Sequence, residues 1–206
     1  MLGQNVLLVP ELAHAKIVLA IEADLFLGQP LAIKLARDFA SARRLDSGSV
    51  KNQTMNRLYA VESIYSSTGA IADHRRLIVP TAIPAFLAEL TAALGAGPAP
   101  AVGSGLDQAF ISALAADLKA NKGQSVIIAG PQQPVEVHAA VLALNQALGA
   151  FGKTLTAYPD PEPKRPHHMQ ALKGLTDELR SGRVKTLFIL GGNPVYNAQA
   201  DSDFAA

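Results

Sequence analysis

The segment that decides the fold is residues 16–24, which reads Lys16-Ile17-Val18-Leu19-Ala20-Ile21-Glu22-Ala23-Asp24. Five consecutive aliphatic residues stand between a lysine and a short acidic loop. Because this apolar run is continuous rather than alternating, it predicts a strand that is buried on both faces, as in a parallel sheet. A strand of that kind requires helices on both sides of the sheet.

Short aliphatic runs of similar character predict five more strands along the chain. They are Arg57 to Val61, Leu77 to Val79, Ser125 to Ala129, Thr154 to Ala157 and Thr186 to Leu190. Between these runs, apolar residues recur with helical spacing, in stripes that begin at Leu31, Ile83, Leu106, Val137 and Met169. The alternation predicts an α/β fold with a doubly wound, mostly parallel, Rossmann-like sheet and helices on both faces.

The domain organisation follows from a Gly- and Pro-rich stretch, residues 97–105, which has no apolar periodicity and predicts a flexible loop. This loop divides the chain into a first α/β lobe, 1–96, and a second α/β lobe, 106–206. Residues 185–193 resemble residues 16–24, which indicates two related halves, although chance similarity explains the pair equally well. The sequence stops just as a new helix begins, so we expect a fragment of a larger protein, with a frayed natural terminus as the alternative.

Composition excludes several classes of function. With 18 Lys and Arg against 17 Asp and Glu, the chain has no strong field to attract nucleic acid or an anionic membrane. It has no Trp and 5% aromatic residues, which argues against a base-stacking surface. The lack of cysteine excludes disulfides, thiolate zinc sites, cysteine nucleophiles and cysteine-bound iron–sulfur clusters within these residues. Polar residues interrupt every apolar run in residues 1–24, so we expect neither a targeting signal nor direct membrane insertion.

Loops at the carboxyl ends of parallel strands are where open α/β sheets bind ligands. Three such loops contain candidate binding groups: Glu62-Ser63, Gly130-Pro131-Gln132-Gln133-Pro134 and Gly191-Gly192-Asn193-Pro194. Glycine lets a backbone approach a ligand, the Asn193 amide both donates and accepts, and Glu62 can bind a ribose or a base. A capping carboxylate, a helix start and a tight turn explain the three loops equally well or better.

Familiar catalytic motifs are missing from the sequence. Neither the Gly-x-Gly-x-x-Gly fingerprint nor a P-loop follows a strand, which argues against ordinary NAD and ATP enzymes. The five histidines lack acidic partners at ligand spacing, so we expect no metal site. The run Asp73-His74-Arg75-Arg76 is read as a solvated strand entry, with an active-site cluster as the alternative. We therefore expect no catalytic residue in this chain.

A family resemblance emerges from several motifs taken in order. They are Ala15-Lys16-Ile17-Val18-Leu19 with Gly28-Gln29-Pro30, Leu58-Tyr59-Ala60-Val61-Glu62-Ser63, Thr68-Gly69-Ala70-Ile71-Ala72-Asp73-His74, Leu77-Ile78-Val79-Pro80, Gly149-Ala150-Phe151-Gly152-Lys153 and Leu190-Gly191-Gly192-Asn193-Pro194. Together they resemble the molybdopterin oxidoreductase (dimethyl sulfoxide reductase-like) superfamily over nearly the whole chain. The resemblance implies domains that hold molybdenum through pterin guanine dinucleotides. It also implies that the cofactor-binding positions are Asp24, Glu62, Gly191, Gly192, Asn193 and Pro194.

Three of the family's loops are altered in this chain. Gly-x-Asn-Pro is replaced by Glu22-Ala23-Asp24-Leu25, Asp-Pro-Arg by Glu62-Ser63-Ile64, and Arg-Pro-Gly-Thr-Asp by Val79-Pro80-Thr81-Ala82-Ile83. The changes place a carboxylate where phosphate or guanine would approach, and like charges repel at short range. The motif at 191–194 keeps the family pattern. We therefore expect no cofactor in this fragment, with bound molybdopterin guanine dinucleotide as the alternative.

Within the superfamily, two sequence segments are most similar to the large iron–sulfur subunit of alternative complex III. They are Met55-Asn56-Arg57-Leu58-Tyr59-Ala60-Val61-Glu62-Ser63 and Ala70-Ile71-Ala72-Asp73-His74-Arg75. This resemblance implies a scaffold domain whose partners are the remaining domains of the same polypeptide, which bear the iron–sulfur clusters, and membrane quinol-oxidising subunits at the periplasmic face. The alternatives are a cofactor-binding domain of an active molybdenum oxidoreductase and a nucleotide-binding module like the central domain of thiamine diphosphate enzymes.

Overall fold

A computed structural model describes residues 5–44 and 54–204 of the protein. The chain divides into two compact units, Met1–Pro159 and Asp160–Ala206, and each is described by itself. The loop predicted at 97–105 lies inside the first unit, and strands from both sides of it belong to one sheet. Of the helix expected to begin at the end of the sequence, residues 205–206 lie outside the described residues.

The first unit is built on a four-stranded parallel sheet. Its strands are β2 (Ile17–Ile21), β3 (Arg57–Glu62), β4 (His74–Leu77) and β5 (Ser125–Ala129), in the order β4-β3-β2-β5. All five residues of β2 are buried, and Ile17 pairs in register with Arg57 on one side and Ser125 on the other. The prediction of an α/β fold with a central strand buried on both faces is confirmed.

Helices cover the two faces of this sheet. They are α1 (Ala32–Ser41), α2 (Ser67–Ile71), α3 (Ile83–Ala93), α4 (Gln108–Ala120) and α5 (Val135–Ala147). Ile17, Leu19 and Ile21 pack with α3, α4 and α5, whereas Val18 and Ala20 pack with α1. The side chains of β2 thus alternate between two apolar cores, as the period of a strand requires.

Two strands of the first unit lie outside the parallel sheet. The strand β1 (Val6–Pro10), which was not predicted, pairs antiparallel with β6 (Leu155–Pro159), so the run predicted at Thr154 to Ala157 is not part of the main sheet. β4 also begins three residues before the predicted Leu77, and it ends before Pro80 opens a 3-10 turn. A search for apolar runs does not detect the start of β4, because its sequence is charged. An edge strand can be charged, since it needs little burial.

The second unit contains α6 (His168–Arg180) and the short α7 (Pro194–Asn197). The strand predicted at Thr186 to Leu190 does not form, and Phe188 and Leu190 are 82% and 90% exposed. A strand requires a neighbour to satisfy its backbone, and the described residues of this unit contain none. The resemblance between 16–24 and 185–193 therefore does not extend to local structure.

The outer edge of β5 is closed by a side chain from α5. Asn145, which is 1% exposed, accepts a hydrogen bond from the Ile127 amide at 2.9 Å and donates one to the Ile127 carbonyl at 2.7 Å. One amide group therefore satisfies both backbone groups of Ile127 that a further strand would otherwise bind, and the Thr154 hydroxyl donates to the Ser125 carbonyl at 2.6 Å. This pairing fixes α5 against the sheet.

Replacing this amide should destabilise the first unit. In Asn145→Leu, the buried amide and carbonyl of Ile127 lose their partners, at a cost of about 1–3 kcal/mol for each group. The matched control Gln146→Leu changes an exposed neighbour on the same helix and should leave stability nearly unchanged. Urea unfolding followed by circular dichroism compares the two variants, and equal midpoints would show that the edge pairing contributes nothing.

Candidate functional site

The strand order creates a crevice between two carboxyl ends. From β2 the chain proceeds to β3 and then β4 on one side, and it returns to place β5 on the other side of β2. The loops after β2 and β5 therefore diverge at this point, which is where open α/β sheets bind ligands. The residues that follow the two strands are Glu22 and Gly130.

The two loops are held together by hydrogen bonds to the backbone carbonyls that follow β2 and end it. Gly130 donates its amide to the Ile21 carbonyl at 2.9 Å, and Gln132 donates its side-chain amide to the Glu22 carbonyl at 2.6 Å. A Cβ at residue 130 would lie 1.9 Å from the Glu22 carbonyl oxygen, so only glycine fits. Glu22 itself adopts a φ of 49°, and its carboxylate accepts the Ser63 amide at 2.6 Å. This close approach fixes the base of the crevice.

Asp24 lies where α2 begins. Its carboxylate accepts hydrogen bonds from the Ser67 hydroxyl at 2.5 Å, the Thr68 hydroxyl at 2.9 Å, and the Ser67 and Thr68 amides at 3.3 Å each. Burial by itself would raise the pKa of Asp24, but the hydrogen bonds from Ser67, Thr68 and the Phe26 amide outweigh it, and the pKa lies below its usual value. The side chain is therefore charged at neutral pH and bound to the protein's own donors.

Glu62 reaches the same short helix from the end of β3. It is 3% exposed and forms an ion pair with the Arg75 guanidinium at 2.6 Å. It also accepts hydrogen bonds from the Ser66 hydroxyl and, at 3.3 Å, from the Ser66 amide. A Cβ at Gly69 would lie 1.8 Å from a Glu62 oxygen, so the helix can approach this carboxylate only because residue 69 is glycine.

The first turn of α2 is consequently saturated by internal partners. Glu62 accepts the Ser66 amide, Asp24 accepts the amides of Ser67 and Thr68, and the Ser66 hydroxyl accepts the Gly69 amide at 3.0 Å. These amides are the groups that bind anions at helix N-termini. The first turn of α2 therefore does not fit a phosphate, because carboxylates of the protein hold the donors that it would need.

The remaining candidates, Gly191, Gly192, Asn193 and Pro194, form an exposed turn in the second unit. The two glycines have φ values of 69° and 106°, and Asn193 precedes α7 and accepts backbone bonds from Tyr196 and Asn197 through its carbonyl. The structure brings Asp24 and Glu62 together at α2. It places the 191–194 motif in a separate unit, as an ordinary helix-starting turn.

The run from Asp73 to Arg76 is dispersed over the edge of the sheet. Asp73 pairs with Arg43 and accepts the Leu58 amide at 2.8 Å, Arg75 pairs with Glu62, and Arg76 stacks over Phe110. Each charge serves a different packing contact, which agrees with a strand entry rather than an active-site cluster.

A buried tyrosine cluster was not predicted from the sequence. The Tyr59 hydroxyl donates to Asp117 of α4 at 2.5 Å, its ring stacks on His74 with centroids 4.7 Å apart, and Asp117 also pairs with Arg57. Burial, followed by the Asp117 contact, raises the pKa of Tyr59 to about 12. Tyr59 therefore stays protonated and ties α4 to β3. No local sequence pattern could predict this contact, because Asp117 lies 58 residues from Tyr59 along the chain.

Comparison with protein-family models finds no match to this chain, and comparison with curated proteins finds none either. Within the described part of the chain, no three His, Cys, Asp or Glu side chains come together as a candidate metal site. None of the helices in residues 5–44 and 54–204 combines the length and apolar character needed to cross a bilayer.

Removing the Asp24 charge should lower stability in a pH-dependent way. Its pKa is depressed in the folded state, so its contribution is present above the unfolded pKa of about 3.9 and is lost as pH falls through the folded pKa. We expect Asp24→Asn to cost about 1–2 kcal/mol at neutral pH, from weaker hydrogen bonds to Ser67 and Thr68.

Chemical denaturation at several pH values measures this effect. The difference between wild type and Asp24→Asn should narrow below about pH 4. The control Glu136→Gln removes an exposed carboxylate from α5 and should give a smaller and flatter difference. If the free energy of unfolding of Asp24→Asn were lower than that of wild type by the same amount from neutral to acidic pH, the Asp24 charge would not stabilise α2 as proposed.

Proposed function

We propose that this chain is a degenerate molybdopterin oxidoreductase-like domain, with a Rossmann-like sheet, that serves as a scaffold in a respiratory electron-transfer complex and binds no molybdenum cofactor. The observation that supports this most is the occupation of the first turn of α2 by Asp24 and Glu62. An internal carboxylate at those amides performs the structural task that a ligand phosphate would otherwise perform.

Charge at the carboxyl end of the sheet supports the same proposal. Glu22, Asp24 and Glu62 all follow or end strands β2 and β3, and the nearby Arg75 is already paired with Glu62 at 2.6 Å. A dinucleotide would bring further negative charge to these carboxylates, and repulsion between close charges in a partly desolvated site opposes binding. The arrangement favours a domain whose stability no longer depends on a nucleotide.

The family resemblance supplies the proposed partners. They are the cluster-bearing domains of the same polypeptide and membrane quinol-oxidising subunits, through which the chain would be attached at the periplasmic face. The first unit is suited to a supporting role because its central strand is wholly buried and its loops are tied by backbone contacts. Electron transfer would take place in the neighbouring domains.

A second candidate is a cofactor-binding domain of an active molybdenum oxidoreductase. One observation favours it: the exposed turn at Gly191 and Gly192 keeps the family motif with positive φ values, and the side chain of Asn193 makes no capping hydrogen bond to α7. In this candidate Asn193 would bind the nucleotide end of the cofactor, and the cofactor would supply the redox chemistry.

Metal and nucleotide analysis of the full chain, isolated in its native assembly, distinguishes the two candidates. We expect molybdenum and guanine nucleotide to be far below one per chain, because the amides at the start of α2 are occupied by Asp24 and Glu62. Iron in the same preparation would indicate the proposed cluster-bearing neighbour.

A variant pair makes the contrary outcome specific. Molybdenum near one per chain that is lost in Asn193→Ala, but kept in Asn197→Ala at the exposed end of α7, would refute the scaffold proposal and establish the second candidate. Equal, negligible molybdenum in wild type and both variants is the result expected for a scaffold.

A further inference from the structure

The first unit contains a cavity of about 450 Å³ beside the crevice. It lies between the loop after β2, the start of α1, the end of β5 and the middle of α5. Its lining is provided by residues that include Leu25, Leu35, Ile128, Val141, Leu142 and Leu155. Small-molecule sites have volumes of roughly 300–1,000 Å³. The cavity is thus large enough for a ligand.

The walls of the cavity are chiefly aliphatic and preformed. Leu25, Leu35, Val141 and Leu155 are each at most 5% exposed and belong to the two apolar cores of the unit. The cavity is partly open to solvent, and its wall atoms lack the protein contacts that a close-packed interior provides. An apolar occupant would restore those contacts, so the shape of this site favours binding.

Two polar groups among the lining residues can orient an occupant. Asn145 is buried and uses one N–H and one lone pair of its side chain on Ile127, which leaves a second N–H and a second lone pair. His138 is half-buried and makes no side-chain hydrogen bond within the described residues. These groups serve a ligand with one or two hydrogen-bonding atoms on a hydrophobic body.

The charge of the lining determines which ligands are rejected. Asp24 also lines the cavity, and its hydrogen bonds to α2 keep it ionised. Among the described residues, neither lysine nor arginine contributes to the lining. An anionic molecule would therefore meet a carboxylate without a compensating cation.

We propose that this cavity binds a predominantly hydrophobic small molecule that is neutral or cationic, with Asn145 and His138 as its polar contacts and Asp24 as the group that excludes anions. This site is separate from the amides of α2. It therefore does not depend on whether a molybdenum cofactor binds elsewhere, and it can fail or succeed independently of the scaffold proposal.

Fluorescence titration of the full chain with Nile red, a neutral hydrophobic dye, tests the proposal. We expect saturable binding at one site, and about tenfold or more weaker binding of the anionic dye anilinonaphthalene sulfonate, because of Asp24. Equal affinity for the two dyes would overturn the charge argument, and the lack of saturable Nile red binding would overturn the site.

Paired variants on α5 separate the cavity from exposed apolar surface such as Phe188. Leu142→Trp fills the cavity with an indole, whereas Ala143→Trp places the same side chain on the exposed neighbouring position. Leu142→Trp should weaken Nile red binding about tenfold or more, and Ala143→Trp should not change it. If Leu142→Trp does not fold by circular dichroism, Ala129→Leu fills the same cavity from β5. If Leu142→Trp or Ala129→Leu bound Nile red as tightly as Ala143→Trp does, the proposal would be refuted.

Discussion

Burial of β2 on both faces is the constraint on which the rest of the first unit depends. Each large aliphatic side chain of this strand removes apolar surface from water, worth about 1.5–3 kcal/mol apiece. That gain is available only if layers stand on both sides of the sheet, and α1 supplies one while α3, α4 and α5 supply the other. Because both faces of the central strand are covered by apolar side chains, the polar groups that follow β2 and β3 lie at the strand ends.

The chemistry at the carboxyl ends follows from that arrangement. Glu62 is carried into the interior by β3, and a buried charge without a partner is costly, so Arg75 and Ser66 accompany it. Asp24, one loop away, is stabilised by the N-terminal dipole and the free amides of α2. The two carboxylates fix a five-residue helix that its own propensity would not stabilise. These contacts with α2 explain why residues 24 and 62 are acidic, and the explanation does not require a ligand.

Sequence reasoning reached the parts of the fold that depend on local pattern. Continuous aliphatic runs identified β2, β3 and β5, and apolar stripes identified α1, α3, α4 and α5, but the short α2 was not predicted. This reasoning failed where pairing is non-local: β1 joins β6 across the whole first unit, and Thr186 to Leu190, with an equally apolar sequence, forms no strand. Asp24 lies in the loop after β2, as predicted, whereas Glu62, predicted in the loop after β3, is the last residue of that strand. Their contacts with α2 were not predictable, because Ser67 lies 43 residues from Asp24.

The acidic loop and the apolar cavity are two consequences of one feature. The residues after β2 must turn sharply beneath Gly130, and that turn leaves Asp24 directed to α2 while Leu25 is buried in the cavity wall. A neutral residue at position 24 would weaken the hydrogen bonds from Ser67 and Thr68 and remove the charge from the cavity. In the proposed site, the charge of Asp24 turns the crevice towards hydrophobic, non-anionic molecules, since electrostatic exclusion of one ligand class is itself a source of specificity.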